Sequence, residues 1–375
     1  MFRKIKIIFL FILFNALIIK SYSQDFNSIF DASSIIDSTK SNSLFLNIKN
    51  NNFFKNNEYF SNYSEGYTLL GFHLDPSLVY YPNKNIKISG GIHFLKYSGR
   101  DNFKDILPTF SFQYKINTNI DIILGTIYSS LNYKLIPPLY KFDNLIENNI
   151  ENGLQFLINF PYLKSNIWLN WNKFILKNSP FQEKLTVGFL SELNLISNEN
   201  FNISLPFQGT ILHQGGQINI NNDNIKTILN LAYGININYS LNYKFLKRIT
   251  TNSYYLIYND LSPTQLQIYK DGYAFYNTIL FDLGCPKITL GYWYANEYIS
   301  PLGNPIFQSV SDYKFYIEEP ERQLLTVDLS YQDEIFDNIN LGIRLQTYYD
   351  LISTKLDYSY GLYIIFNEEF FLKKL

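Results

Sequence analysis

The sequence predicts an all-β chain, an up-and-down antiparallel β-barrel of about sixteen strands that crosses a membrane, with fourteen as the alternative count. Three observations predict it. Segments of about ten residues alternate apolar and polar side chains, long enough to cross a bilayer at a tilt. The connections between these segments alternate between long and tight. Aromatic residues make up 18% of the chain and charged residues only 17%. The usual charged share is about a quarter, so less of this surface meets water than in a soluble protein of the same length.

The chain opens M-F-R-K-I-K-I-I-F-L-F-I-L-F-N-A-L-I-I-K-S-Y-S-Q. Cations at Arg3, Lys4 and Lys6, an apolar run from Ile7 to Ile19 and the small-x-small Ser21-Tyr22-Ser23 predict a signal peptide over 1–23, cleaved between Ser23 and Gln24. That run is short for a helical span of about 20 residues, and Asn15 interrupts it. No cysteine lies near the cleavage site to be acylated. Residues 24–42 then form a periplasmic N-terminal segment, with a short helix expected from Asp31 to Lys40. This segment plugs the lumen, docks to a periplasmic partner or stays a disordered leader.

The barrel is expected over 43–375. Strands are read as starting near Ser43, Tyr67, Ile86, Asp105, Ile120, Ile150, Asn166, Glu183, Phe201, Ile225, Leu241, Gln265, Lys287, Arg322, Asn338 and Lys355. Ile228 to Ser240 shows the pattern. Leu229, Leu231, Tyr233, Ile235, Ile237 and Tyr239 share one face, and Asn230, Ala232, Gly234, Asn236 and Asn238 share the other. Odd-numbered connections are often long (Asn52 to Gly66, Leu135 to Asn149, Gln208 to Asn224, Pro301 to Glu321). Even-numbered ones are tight, as at Pro82 to Asn85, Asn117 to Asn119, Ser197 to Asn200 and Gly284 to Pro286.

A soluble sandwich has no reason to segregate loop lengths in this way; a membrane barrel with short turns at one end does. In Asn338 to Leu351 the aliphatic positions Ile339, Leu341, Ile343 and Leu345 therefore face lipid, and Arg344 faces a wet interior. Closure follows, because an open sheet edge in hydrocarbon leaves backbone groups unpaired. Aromatic strand ends at Tyr80-Tyr81, Tyr292-Trp293-Tyr294 and Tyr348-Tyr349 fit interfacial girdles. A lone Cys285 rules out an internal disulfide. Removing the signal takes the formal charge from −1 to about −5, and so mild a balance argues against a nucleic-acid partner.

Glu65 to Pro82 (E-G-Y-T-L-L-G-F-H-L-D-P-S-L-V-Y-Y-P), Glu151 to Asn159 (E-N-G-L-Q-F-L-I-N) and Trp168 to Ile175 (W-L-N-W-N-K-F-I) carry a resemblance. They are similar to stretches of Gram-negative outer-membrane β-barrels, in particular uncharacterised barrels of the Bacteroidota. The resemblance implies a location in the outer membrane and carries no activity. It departs from many such proteins at the C-terminus, where Phe366 or Phe371 takes the place of a terminal aromatic residue.

The lumen-lining candidates are Arg344, Asp328, Gln346, Glu192, Asn230, His73 and His93. With Glu334 placed opposite Asn338, Asp328 falls opposite Arg344, and the two form an ion pair that is either a selective constriction or a wall brace. A similar register sets His73 beside His93 with Asp75 close by, read either as a metal or acid–base site or as ordinary lumenal polarity. His213 is expected in a loop at the outer rim. No catalytic residue, metal or cofactor is assigned, for want of a nucleophile elbow, a metalloprotease His–Glu spacing or a phosphate-cradling loop.

The leading function is porin-like passage of small polar solutes. A non-conducting barrel subunit of an outer-membrane assembly is the alternative, and an outer-membrane enzyme comes third. Partners are outer-membrane lipid, small polar solutes and other outer-membrane or periplasmic proteins.

Overall fold

Alternating side chains give each strand one apolar and one polar face, and sixteen such strands close on themselves in the computed structural model. The structure describes residues 26, 30, 35–129, 133–241, 243, 245–314 and 317–375. The expected signal peptide lies outside them.

In chain order the strands are β1 (Ser43–Glu58), β2 (Tyr67–Asn83), β3 (Ile86–Tyr97), β4 (Asp105–Asn117), β5 (Ile120–Thr126), β6 (Asn152–Asn159), β7 (Leu163–Lys173) and β8 (Glu183–Ser197). They continue with β9 (Phe201–Gly215), β10 (Lys226–Ser240), β11 (Arg248–Asp260), β12 (Asp271–Asp282), β13 (Lys287–Asn296), β14 (Glu321–Phe336), β15 (Ile339–Asp350) and β16 (Leu356–Lys374). Each pairs antiparallel with its sequence neighbours, and β1 pairs with β16 from Ser43↔Lys374 to Glu58↔Tyr358, which seals the wall.

Burial alternates with the period of the pleat. Ile343 and Leu345 are exposed on the outer face, while Arg344 between them points inward to Asp328. Outer positions are apolar because lipid surrounds them, and inner positions can be polar because partners and water satisfy them. Short turns gather at one rim, and long connections at the other. Two of the long ones, residues 127–151 between β5 and β6 and 297–320 between β13 and β14, fold into the barrel. There Leu139, Tyr298, Ile299, Ile306 and Phe307 join a buried cluster with Tyr276, Trp293 and Tyr348 of the wall.

Several expected boundaries need correction. Asn52 to Glu58 is strand, because Lys55 and Asn57 face the lumen, where polar side chains find partners. The strand expected from Leu241 starts at Arg248, and the one expected from Gln265 starts at Asp271. In the second case the carboxylate of Asp260 accepts from the backbone N–H groups of Ser262, Leu266 and Gln267, folding an alternating stretch into a tight loop.

β7 begins at Leu163, ahead of Asn166, and β9 extends to Gly215, so His213 is a strand residue, its Nδ1 2.9 Å from Thr227 Oγ1. Of the expected Asp31 to Lys40 helix, only Ser38–Lys40 is helical among the described residues, a 3-10 turn capped by Asp37. The aromatic strand ends are split by the pleat. Tyr292 and Tyr349 are exposed on the lipid face, whereas Tyr81, Trp293 and Tyr348 are buried in the interior.

Candidate functional site

The polar faces of β1, β2, β14, β15 and β16 meet the inward loops at a waist in the lumen. On the wall, Arg344 Nε donates to both oxygens of Asp328 at 3.1 and 3.0 Å, its second guanidinium nitrogen donates at 2.5 Å, and Gln346 Nε2 adds a donor at 3.0 Å. A planar guanidinium meeting a carboxylate through two nitrogens is the stronger, orientation-fixing form of such a pair.

The expected pairing is therefore present, but the register is shifted. Asp328 lies opposite Gln346, Ser330 lies opposite Arg344, and Glu334 lies opposite Asn340 instead of Asn338. A bulge between Glu334 and Phe336 and the left-handed Asn338 (φ 62°) account for the slip. A slip of two residues keeps every side chain on its face, and diagonal neighbours remain within reach of long side chains.

The 127–151 loop supplies the second layer. It carries α1 (Asn144–Glu147) and, just before it, Asp143. Asp143 is ion-paired to Lys55 of β1, accepts from Tyr67 of β2 and accepts from Asn57 at 3.2 Å. Burial opposes ionisation of this carboxyl, but Lys55 and the Tyr67 hydroxyl outweigh it and hold the group below the usual carboxylate range. His73 Nε2 lies 3.0 Å from the Ile146 carbonyl, and Lys104 donates to the Glu147 carbonyl at 2.9 Å. Nearer the loop's end, Glu151 accepts from Tyr133 and Tyr140. Tyr133 in turn stacks on Trp168 with ring centroids 3.6 Å apart.

The 297–320 loop supplies the third layer. Arg322 at the start of β14 is 1% exposed; it donates to Asp350 at 2.6 Å and to the Ile306 carbonyl at 3.1 Å, and it lies 3.3 Å above the Tyr63 ring. Asn230, on the expected face, holds the same loop by donating to the Ile299 carbonyl at 2.7 Å. The two inward loops also bond each other, Lys141 N to Leu302 O and Asn304 N to Pro137 O, both at 2.9 Å. Gly303 permits that approach, since a Cβ there would lie 2.1 Å from the Pro138 carbonyl oxygen.

His73 and His93 stand with ring centroids 5.1 Å apart, and His93 Nδ1 is 2.5 Å from Asp75 Oδ1. The register differs by two here as well, with His73 opposite Leu95. The pair braces the wall and, through His73, seats α1. Glu192 lies away from the waist, near the short-turn rim, where Ser204 donates to it at 2.5 Å beside a cavity shared with Lys164 and Arg248. Arg344, Asp328, Gln346 and His73 thus gather at the waist, Asn230 under the second loop, and Glu192 apart from both.

Lys55, Tyr67, Asp143, Arg322 and Asp350 were not foreseen. Lys55 was read as part of a loop, Asp143 comes from a segment whose inward course has no local signature, and Asp350 ends a strand whose register against β14 sets its reach to Arg322.

Cavities flank the waist on both sides. One of about 190 Å³ lies between the loops and the wall, reaching Tyr59, Lys141, Asp312, Arg344 and Gln346. A larger one of about 730 Å³ lies toward the short-turn rim, lined by Lys40, Lys49, Asp75, Lys87 and Glu369 among others.

A closed sixteen-strand wall with an apolar outside and a polar, loop-filled inside defines an outer-membrane β-barrel of porin-like architecture. The chain belongs to the lipid A 3'-O-deacylase-type family, whose sequence model matches residues 36–375. Among solved structures it is similar to the outer membrane protein OprD from Pseudomonas aeruginosa, at 7% identity and a TM-score of 0.51 over 87% of this chain and 94% of that one. It is also similar to a loop-deletion form of OmpT, an outer membrane protein of Vibrio cholerae, at 9% identity and a TM-score of 0.50 over 87% of this chain and 99% of that one. At such identities these likenesses concern the fold. No curated protein sequence matches the chain.

Proposed function

We propose that the protein passes small polar solutes across the outer membrane, through a lumen narrowed to a charged waist by its inward loops. The observation that carries this reading is the layer in which Arg344–Asp328 and Lys55–Asp143 sit side by side with cavities above and below. Fixed, paired charges at a narrow point discriminate among ions by field and size, while a barrel of this strand number leaves room for water around them.

The test is single-channel recording of the exported chain in a planar bilayer. Wild type is expected to give ohmic steps, and Arg344→Ala, which leaves Asp328 without its cation, is expected to shift selectivity toward cations. A folded, inserted barrel that passes no current in any condition would refute passage and direct attention to a role as a non-conducting subunit.

The family membership favours a second reading, cleavage of an acyl ester on lipid A. The chemistry nearest to it on the lumenal wall is the His93–Asp75 pair, a base with its orienting carboxylate. His93 is 2% exposed and faces the lumen, away from the lipid that would supply the substrate. Incubation with lipid A followed by mass spectrometry decides: loss of an acyl chain with wild type and not with His93→Ala would establish the enzyme, and unchanged lipid A would remove this reading.

A further inference from the structure

On the outside of the barrel, polar side chains in the lipid-facing rows find partners in the wall itself. Asn50 donates to the His73 carbonyl at 2.7 Å and accepts from Asn52 at 2.5 Å, and the hydroxyls of Ser165 and Ser191 lie 2.7 Å apart. Hydrocarbon offers nothing to hydrogen-bond, so an outward polar group needs such a partner. Ser253 of β11 and Asn277 of β12 depart from this. They are direct cross-strand neighbours and both are exposed, while Tyr254, Tyr276 and Thr278 beside them turn inward and are buried. Neither Ser253 nor Asn277 has a side-chain hydrogen-bond partner among the described residues.

The two lie in a depression of about 480 Å³ in the outer wall. Thr251 adds a third polar group to its floor, and Ile279, Leu290 and Tyr292 give it apolar sides. Toward the long-loop rim a band of rings crosses the strands from Tyr233 through Tyr255, Phe275 and Tyr273 to Tyr294, with successive centroids 5.4, 4.9, 6.1 and 6.3 Å apart. Outward aromatic rings in such a band mark the level of the lipid headgroups. Asn277 lies two residues past Phe275 in β12, about 7 Å farther from that rim. The acyl chains of outer-leaflet lipids begin at this depth.

We propose that this depression binds one outer-leaflet lipid whose chains are joined through an amide or carry a hydroxyl beside the headgroup. The Asn277 carboxamide both donates and accepts, and so does the Ser253 hydroxyl. An ester offers acceptors alone and leaves the Asn277 carbonyl unpaired in hydrocarbon, whereas an amide or a hydroxyl answers both. The rest of the chain lies against Ile279 and Leu290. A second barrel is a poorer occupant, because two convex walls meet along their protruding side chains and leave a depression unfilled. None of the lining residues carries a carboxylate, an imidazole or a cation, so the site holds a lipid without cleaving it.

The test offers the full exported chain, in nanodiscs, equal amounts of ceramide phosphoethanolamine and phosphatidylethanolamine. These share a headgroup and differ in having an amide and a hydroxyl against two esters. Native mass spectrometry of the released barrel reads which lipid stays bound. Wild type is expected to keep one ceramide lipid per chain, preferred by at least about fivefold, the worth of one to two hydrogen bonds. Asn277→Leu places an apolar side chain in a lipid-facing row, where the barrel tolerates it, and is expected to abolish the preference; Ser253→Ala is expected to reduce it. Heat-modifiable gel migration checks that each variant is folded. Equal retention of the two lipids by wild type would overturn the proposal, and so would a preference that survives Asn277→Leu. A mass of two chains that Asn277→Leu returns to one would also overturn it and give this face to a second copy. The readout involves no current, so the outcome stands apart from whether the barrel conducts.

Discussion

Asp143 shows how a single side chain fixes a whole loop. Buried against Lys55 and Tyr67, it is ionised at neutral pH because the lysine outweighs the burial. A carboxyl held below its ordinary value of 3.8 contributes docking free energy above that pH, and the contribution is lost as pH falls through the depressed folded value. The contribution of Asp143 to docking of the 127–151 loop is therefore expected to be constant from neutrality to about 4 and to be lost only in stronger acid. Emission from Trp168, which stacks on Tyr133 of this loop, reports the transition. Lys55→Met removes the cation and leaves the burial, so the acid transition should move to higher pH. The variant should also lose about 3–5 kcal/mol of stability in denaturant titrations, the usual cost of stranding one partner of a buried pair. A transition that does not move would show that Lys55 has no part in holding the loop.

Among the elements, strand positions were legible wherever one face met lipid, since that solvent enforces the period of two that a reader can see. β2, β3, β4, β5, β8, β9 and β13 start where the pattern places them. Legibility fails where polar residues alternate for reasons other than a lipid face, as in 265–270, where one carboxylate gathers three backbone donors. It fails also for the inward loops, whose course is set by distant wall partners such as Arg322 with the Ile306 carbonyl and Lys55 with Asp143. The contact between those loops yields a prediction of its own. Gly303→Ala places a methyl against the Pro138 carbonyl, so the loops must part by a small backbone shift, at a cost of about 1–3 kcal/mol. Faster proteolysis of the 297–320 loop in the folded barrel, with the wall's melting behaviour unchanged, is the expected result. Equal cleavage rates would mean that the loops do not support each other.

For the whole molecule, the sign of each face was readable but the content of the lumen was not. A porin-like interior and a filled one call for the same alternation in the wall, and Arg344 points inward in both. The aromatic strand ends illustrate the limit: Tyr292-Trp293-Tyr294 reads as a girdle, yet the pleat turns Trp293 into the core that receives Phe307 at 5.2 Å. Sequence pattern also located the Arg344–Asp328 pair without its register, because parity is robust to a slip of two and distance is not.

The seam between β1 and β16 bears on how such a wall is made. It joins Ser43 to Lys374, the most distant stretches of the barrel along the chain, so its formation carries the largest loop-closure entropy of any strand pair. Every other pairing is a hairpin that can form from neighbours, and long-range pairing is the slow step in β proteins. Until that seam forms, β1 and β16 are bare edges, each a template for a foreign strand. Keeping those two edges from other strands until the seam forms is thus a condition on the yield of folded barrel that no contact inside the lumen can meet.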